Sequence, residues 1–274
     1  MQNERAFVKG PRADRCAGVC CDGHAMDRNA GRNRRRGRNA DRTDDQNDGQ
    51  DTGLGDDDDV ELDAGVFSAW MQQVQEAIRG QHGSDVPCDG CTACCTSSHF
   101  VPIEPDEADT LAHVPAELLF PAPRRPRGHV LLGYDERGHC PMLVDGRCSI
   151  YEHRPRACRT YDCRVLPAAG VDIDVEPGKA GVARRARRWR FSHPTQADRD
   201  QHDAVRTAAT FLRQHAADLP EGAVPAAATG LAVLAIELHG TFLDRDADSG
   251  TTSVVVPAPS VVRVELARRA RAGG

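Results

Sequence analysis

The stretch Cys88-Asp-Gly-Cys91-Thr-Ala-Cys94-Cys95 places four thiols within eight residues, in a Cys-x2-Cys-x2-Cys-Cys pattern. A later block carries four more, at Cys140, Cys148, Cys158 and Cys163. Thiols clustered in this way form either a metal site or a disulfide framework. We therefore expect the chemistry of this protein between residues 88 and 163.

Composition helps to decide between metal and disulfides. The chain has 274 residues and 11 cysteines, an odd number, and its first ten residues lack the apolar core of a secretory signal peptide. It also lacks the run of about 20 apolar residues that a membrane span needs. We expect a cytoplasmic protein, and in a reducing compartment clustered cysteines more often bind metal or act in catalysis than form disulfides.

The charge balance argues against some partners. The formal net charge is -6 and the isoelectric point is near 6.0. Bulk electrostatics therefore do not attract the chain to nucleic acid or to an anionic membrane. We do not expect nucleic acid as a partner, and a protein partner or protein substrate of unknown identity stays open.

The fold class that we expect is α+β: a small cysteine-rich metal-binding domain of short strands and helices. The low mean hydropathy, -0.53, indicates that part of the chain is unfolded. Residues 1–63 are predicted to be a disordered tail, in which Cys16, Cys20 and Cys21 are incidental. The metal-binding domain is expected over 64–170, and a helical and strand extension packed on it over 171–274.

Hydrophobic periodicity and turn residues predict the main elements. The apolar positions from Val66 to Ile78 fall on one face of a helix. Further helices are predicted at Pro105–His113, from Pro155, over 196–218 and at Ala226–Leu243. Prolines from Pro115 onward predict a loop. Strands are predicted at Phe100–Ile103, in a three-stranded meander (His129–Tyr134, Cys140–Val144, Arg147–Tyr151), and at Val254–Leu266.

The spacing of the first four cysteines favours iron–sulfur chemistry over zinc. Structural zinc sites usually combine two separated Cys-x2-Cys pairs. A [4Fe-4S] cluster takes three ligands from Cys-x2-Cys-x2-Cys and a fourth from a remote Cys-Pro, as at Cys88, Cys91, Cys94 and Cys140. Cys95, Cys148, Cys158 and Cys163 could then form a second four-thiol site, or stay as spare thiols. His99, His139 and His153 are expected to be ordinary histidines.

Two longer motifs together are specific. They are the run Cys88 to Cys95 and the pattern Cys-Pro-x-Leu-x-x-Gly-x-Cys-x-Ile-Tyr-x-x-Arg-Pro-x-x-Cys-Arg-x-Tyr-x-Cys from Cys140 to Cys163. Over about residues 86 to 170 the chain resembles the bacterial and archaeal CxxCxxCC cysteine-cluster family. That family is described as zinc- or iron-chelating and includes the flagellin lysine N-methylases.

The resemblance implies that metal is bound through all eight cysteines, as an iron–sulfur cluster in methylase-like members. It also marks Arg154 and Arg159 as residues that could donate hydrogen bonds to cluster sulfurs or to an anionic substrate. The alternative for both is a structural salt bridge around the Cys158 helix. Tyr161 is expected in the core or behind the ligands.

Three functions follow as hypotheses. The first is a metal-cluster protein with a structural or redox role, holding [4Fe-4S] or Zn²⁺. The second, by resemblance, is a protein lysine N-methylase, although no Gly-x-Gly-x-x-Gly turn follows a predicted strand. The third is a zinc-ribbon-like nucleic-acid module that uses the basic run Arg184–Arg190 with Trp189 as a stacking platform.

Overall fold

The computed structural model describes residues 60–80, 83–84, 86, 88, 90–173, 178–246 and 250–272. The tail predicted over 1–63 lies outside these residues up to position 59, together with Cys16, Cys20 and Cys21. The described part of the chain mixes helices with short strands, which confirms the α+β class.

The helices and strands are short apart from one 19-residue helix. The helices are α1 (Phe67–Ile78), α2 (Ala108–His113), α3 (Arg156–Thr160), α4 (Val165–Ala169), α5 (Ala180–Arg187), α6 (Gln196–Gln214), α7 (Ala228–Leu238) and α8 (Pro259–Ala272). The strands are β1 (Leu62–Val66), β2 (Val101–Ile103), β3 (Leu119–Pro121), β4 (Val130–Leu132), β5 (Leu143–Val144), β6 (Arg147–Cys148), β7 (Trp189–Ser192), β8 (Leu243–Arg245) and β9 (Thr252–Val254).

The larger hydrophobic core forms where α1, α4, α6 and α7 pack together. The predicted face of α1 is buried there through Phe67, Trp70, Met71, Val74 and Ala77. Strand β1 pairs in parallel with β7, which fixes the start of α1 beside the strand that carries Trp189. This core also includes Cys163, so one of the predicted ligands is anchored in it.

The start of α6 is held by a capping box. Asp198 accepts hydrogen bonds from the backbone N–H and the hydroxyl of Thr195, and its own N–H donates to the Thr195 hydroxyl oxygen. Asp198 also accepts a 3.3 Å bond from the N–H of Ser68 in the first turn of α1. One carboxylate therefore satisfies donors at the N-termini of two packed helices.

A smaller core lies beneath the three-stranded antiparallel sheet β2-β4-β3. Its buried members are Ile103, Val114, Leu132, Met142 and Ile150, and Cys140 and Cys148 pack against it. The short β5–β6 hairpin stands beside this sheet with Leu143 opposite Cys148. Its turn is the predicted Asp145-Gly146, where both residues have positive φ.

The predicted three-stranded meander is wrong in its pairing. Strand β4 pairs with β2 and β3, whereas β5 pairs with β6 alone. The backbone N–H of Cys140 is directed elsewhere, because it donates to the carbonyl of Cys95 at 2.7 Å. Strand β3 also lies within the segment that its prolines predicted to be a loop.

The strands predicted at Val254–Leu266 are also wrong, because α8 begins at Pro259. The β-branched valines of this segment suggested a strand. The helix is stabilised instead by the burial of Val262 and by ion pairs one turn apart from Glu265 to Arg268 and Arg269.

Over the described residues, none of the helices combines the length and apolar character that crossing a bilayer requires.

Candidate metal centre

All eight predicted cysteines line one cavity of about 510 Å³. Its wall takes side chains from both cores: Val182 and Trp189 from the larger, and Leu132, Met142 and Ile150 from the smaller. The eight cysteines are thiols rather than disulfides. The two cysteine blocks, separated by more than 40 residues of sequence, therefore converge on a single space between the two cores.

The first block is a tight backbone turn that directs its thiols to that space. The N–H of Cys91 donates to the carbonyl of Cys88 at 2.8 Å, and Gly90 between them has a φ of +68° that favours glycine. Thr96 and Ser97 then donate back to the carbonyls of Thr92 and Ala93 through their hydroxyl groups. These bonds hold the run in one conformation without using the thiols.

One group of thiols gathers at the larger core. Cys94 is exposed to the open cavity, but the protein packed around its thiol raises the pKa of Cys94 well above its usual value. The nearby thiols of Cys163, Cys95, Cys91 and Cys88 raise that pKa further. Cys163 lies close to Cys88 and Cys91 in turn. We call Cys88, Cys91, Cys94 and Cys163 set A.

The other group gathers at the smaller core. Burial raises the pKa of Cys95 to about 12, with the thiols of Cys140 and Cys148 as the next causes. Burial likewise raises the pKa of Cys158 to about 12, followed by the thiols of Cys140, Cys95 and Cys148. We call Cys95, Cys140, Cys148 and Cys158 set B. The sets adjoin, because Cys91 also lies near Cys95 and because Cys94 and Cys95 are consecutive.

This arrangement differs from the partition that the spacing predicted. Cys140 was expected to complete the Cys88, Cys91, Cys94 triplet, but it lies with Cys95 through the backbone hydrogen bond between them. The cysteine that lies beside Cys88, Cys91 and Cys94 is instead Cys163. The reason is tertiary: Cys140 belongs to a segment packed on the smaller core, whereas Cys163 precedes α4 in the larger one.

The distances between ligand sulfurs differ between a zinc site and an iron–sulfur cluster. A tetrahedral zinc site with Zn–S distances of about 2.3 Å brings its four sulfurs to about 3.8 Å from one another. Among the described residues, the cysteines do not supply three sulfurs that all lie within 4.8 Å of one another. In an iron–sulfur cluster each thiolate binds a different iron, so the ligand sulfurs lie farther apart than those of a single zinc ion.

The comparison with known families identifies the cysteine region. Residues 87–177 match the family model CxxCxxCC, described as "Putative zinc- or iron-chelating domain". We call residues 87–177, which match this model, the CxxCxxCC domain. The match confirms the resemblance and supports metal binding in general. No match was found among curated proteins or among solved structures.

The two arginines predicted from the motif occupy different places in the CxxCxxCC domain. Arg154 lines the cavity and is near Cys88, Cys95 and Cys158, where its charge lowers their pKa values against the larger effect of burial. Its guanidinium lies 3.5 Å from the centre of the Tyr151 ring. Arg159 is in α3 and is absent from the cavity lining among the described residues. Arg154 is thus the better placed to act on a bound group.

Sequence reasoning missed the residues that support set A. Asp162 is buried and accepts hydrogen bonds from Trp70 Nε1 at 2.8 Å and from the Ser84 hydroxyl at 3.1 Å. Arg164, also buried, pairs with it at 2.8 Å. Trp189 Nε1 donates to the sulfur of Cys163 at 3.2 Å. Asp162 stands between two motif positions, Tyr161 and Cys163, which is the one signal in the sequence that could have drawn attention to it.

In the basic run after the CxxCxxCC domain, the tryptophan is buried and two of the arginines pair with carboxylates. Trp189 is 3% exposed, so it offers no stacking platform. Arg187 pairs with Asp172 and Arg190 with Glu61. The predicted basic strand is also partly helical, because α5 extends to Arg187.

Proposed function

We propose that the CxxCxxCC domain holds iron–sulfur clusters on two four-thiolate sets, set A and set B, and that these clusters join the two hydrophobic cores. The observation that carries the proposal is the convergence of all eight thiols on one cavity between the cores. The donor set fits the group, since thiolates are the ligands of iron–sulfur clusters and of zinc.

Cluster chemistry is favoured over zinc by the sulfur spacing and by the room in the cavity. Eight thiols could hold two zinc ions, but each ion would draw four sulfurs into a compact tetrahedron. The consecutive residues Cys94 and Cys95 lie in different sets, which avoids the strain of directing two neighbouring thiols to one ion. When bound, the clusters would supply cross-links and redox-active iron.

The protein residues around the thiols also suit a cluster. Trp189 donates a hydrogen bond to one ligand sulfur, and such bonds tune the reduction potential of a cluster. The Arg154 guanidinium stabilises negative charge on Cys95 and Cys158. Apolar side chains such as Val182, Met142 and Ile150 limit the access of water to the same space.

A structural role follows from where the sets lie. The smaller core has only five buried hydrophobic residues among those described, so it gains little stability from burial alone. Ligation in a structural metal site contributes on the order of 10 kcal/mol. The set A cluster would fix Cys163 in the larger core, and the set B cluster would fix Cys140 and Cys148 beside the smaller one. Cys94 and Cys95, one in each set, are consecutive and tie the two clusters together, so both would stabilise the whole domain.

Metal and sulfide analysis of protein prepared without oxygen tests the proposal. We expect iron and acid-labile sulfide, with thiolate-to-iron absorption in the visible range. Cys163→Ser in set A and Cys140→Ser in set B should each remove roughly half of the iron, as expected for two independent Cys₄ clusters. Cys16→Ser, outside both sets, is the matched control and should retain all of it.

Two results would overturn the proposal. If the protein contains stoichiometric zinc and no sulfide, the thiols form mononuclear zinc sites rather than clusters. Complete loss of iron from either single variant, with circular dichroism still showing a folded protein, would mean that the eight thiols hold one centre rather than two.

A further inference from the structure

A second group of metal-binding side chains lies outside the cysteine cavity. One ring nitrogen each from His113 and His153 and one carboxylate oxygen of Asp109 lie within 4.8 Å of one another. The two imidazole rings stack in parallel, with their centres 3.5 Å apart and an angle of 3° between their planes. His153 Nδ1 is 2.8 Å from Asp109 Oδ2. Side chains from two segments about 40 residues apart in sequence thus meet at the surface.

The fold holds these side chains in place through the smaller core. Asp109 and His113 are one turn apart on α2, and the next residue, Val114, is 4% exposed. The backbone N–H of His153 donates to the carbonyl of Ile150 at 2.9 Å, and Ile150 is buried in the same core. The trio is therefore positioned by packing beneath it rather than by its own contacts alone.

The ring orientations suit metal ligation. His113 Nδ1 lies 2.8 Å from the backbone carbonyl of Asp109, a contact in which the ring N–H donates and Nε2 keeps its lone pair. Histidines that ligate metals commonly donate their other N–H to a carbonyl or a carboxylate in this way. His153 Nδ1 makes the corresponding contact with the Asp109 carboxylate, which accepts the hydrogen bond.

Two histidines with one carboxylate are a ligand set for borderline divalent ions. Such a set leaves coordination positions open for water, as in catalytic zinc sites and in non-haem iron sites. The positive charge of Arg159 also acts on Asp109, and it opposes the approach of a cation. All three side chains are more than a third exposed. Both features point to an exchangeable ion rather than a permanently bound one.

We propose that Asp109, His113 and His153 form a second metal site, independent of the cysteine cavity, for a divalent first-row transition ion with nitrogen and oxygen ligands. The site differs in chemistry from the thiolate sets, which select soft metals and clusters. It requires neither cluster to be present.

The chain provides a matched control in His215 and Asp218. Their side chains form a similar exposed pair, with His215 Nδ1 3.0 Å from Asp218 Oδ2. Within the described residues this pair has no third ligand close enough to complete a site. Loss of the pair should therefore leave metal binding at the trio unchanged.

Nickel binding to the full chain with its cysteine-bound metal in place tests the proposal. The test is equilibrium dialysis against Ni²⁺, followed by elemental analysis. The wild type should bind about one more Ni²⁺ per chain than a variant that lacks all three side chains of the trio. His113→Ala, His153→Ala and Asp109→Asn should each lower the affinity at least about tenfold, while His215→Ala binds as the wild type does. The iron or zinc on the cysteines should be the same in all six proteins.

Electron spin-echo measurements with Cu²⁺ as the probe give a second readout. Two imidazole nitrogens should couple to the copper in the wild type and one in His153→Ala. Asp109→Asn keeps the size of the side chain, so its binding loss cannot be attributed to a failure to fold. Equal nickel binding by the wild type and all three trio variants would overturn the proposal, and so would an equal loss in His215→Ala.

Discussion

Removing the carboxylate of Asp162 should destabilise the part of the larger core that holds set A in place. Asp162 and Arg164 are both buried, with side-chain exposures of 1% and 6%, and are joined at 2.8 Å. Asp162→Ala removes the carboxylate from this buried ion pair, and breaking a buried pair by removing one member costs about 3–5 kcal/mol. It also leaves Trp70 Nε1 without its acceptor. Since a domain has a total stability of about 5–15 kcal/mol, this is a large share.

A double-mutant cycle separates the charge from the packing. Arg164→Met added to Asp162→Ala removes the other member of the buried pair, so the double variant should be more stable than Asp162→Ala alone. We expect a coupling energy of about 2–3 kcal/mol between the two positions. Asp172→Ala serves as the control, because Asp172 forms an exposed ion pair with Arg187. Its loss should lower the free energy of unfolding by less than about 1 kcal/mol.

The assay is urea unfolding of the metal-loaded protein, followed by circular dichroism and tryptophan fluorescence. The iron content of each folded sample reports whether set A survives. If Asp162→Ala unfolds at nearly the same urea concentration as the wild type, the buried pair does not carry the stability assigned to it. The same conclusion follows if the double variant is as unstable as the sum of the two single ones.

Three further predictions concern other parts of the structure. Hydrogen bonds from Ser68 at the start of α1 and from Thr195 at the start of α6 lower the pKa of Asp198 to about 2. Asp198→Ala should therefore cost about 1–2 kcal/mol above pH 4, and that difference should shrink as the pH falls toward 2; urea titrations at several pH values measure it. Trp189→Phe removes the hydrogen bond to Cys163, so the midpoint potential of a bound cluster should become more negative in voltammetry while the thermal midpoint falls only slightly. Gly138 has a φ of +80° and an added Cβ would collide with the Ser98 hydroxyl oxygen, so Gly138→Ala should lower the thermal midpoint, and an unchanged midpoint would contradict the close approach.

Local sequence determined which residues are candidate ligands. The x2 intervals made Cys88, Cys91 and Cys94 candidates, because such intervals on a turn bring sulfurs together whatever the rest of the chain does. The resemblance to the CxxCxxCC family implied the other five thiols. The α1 face and the Asp145-Gly146 hairpin followed from periodicity and turn residues, which act over a few residues. The resemblance to the CxxCxxCC family rested on the same local motifs.

Tertiary structure alone decided how those thiols are grouped. Cys140 lies with Cys95 because the segment that carries it packs on the smaller core. Cys163 lies with Cys88 and Cys94 because its segment packs in the larger core. Strand pairing of β4 and the helical state of α8 likewise depend on long-range burial, which overrides local propensity. The trio of Asp109, His113 and His153 left no pattern in the sequence, since its members meet only when α2 and the 151–153 turn pack on one core. Side chains that are distant in sequence become neighbours through packing, and their spacing along the chain does not predict such contacts.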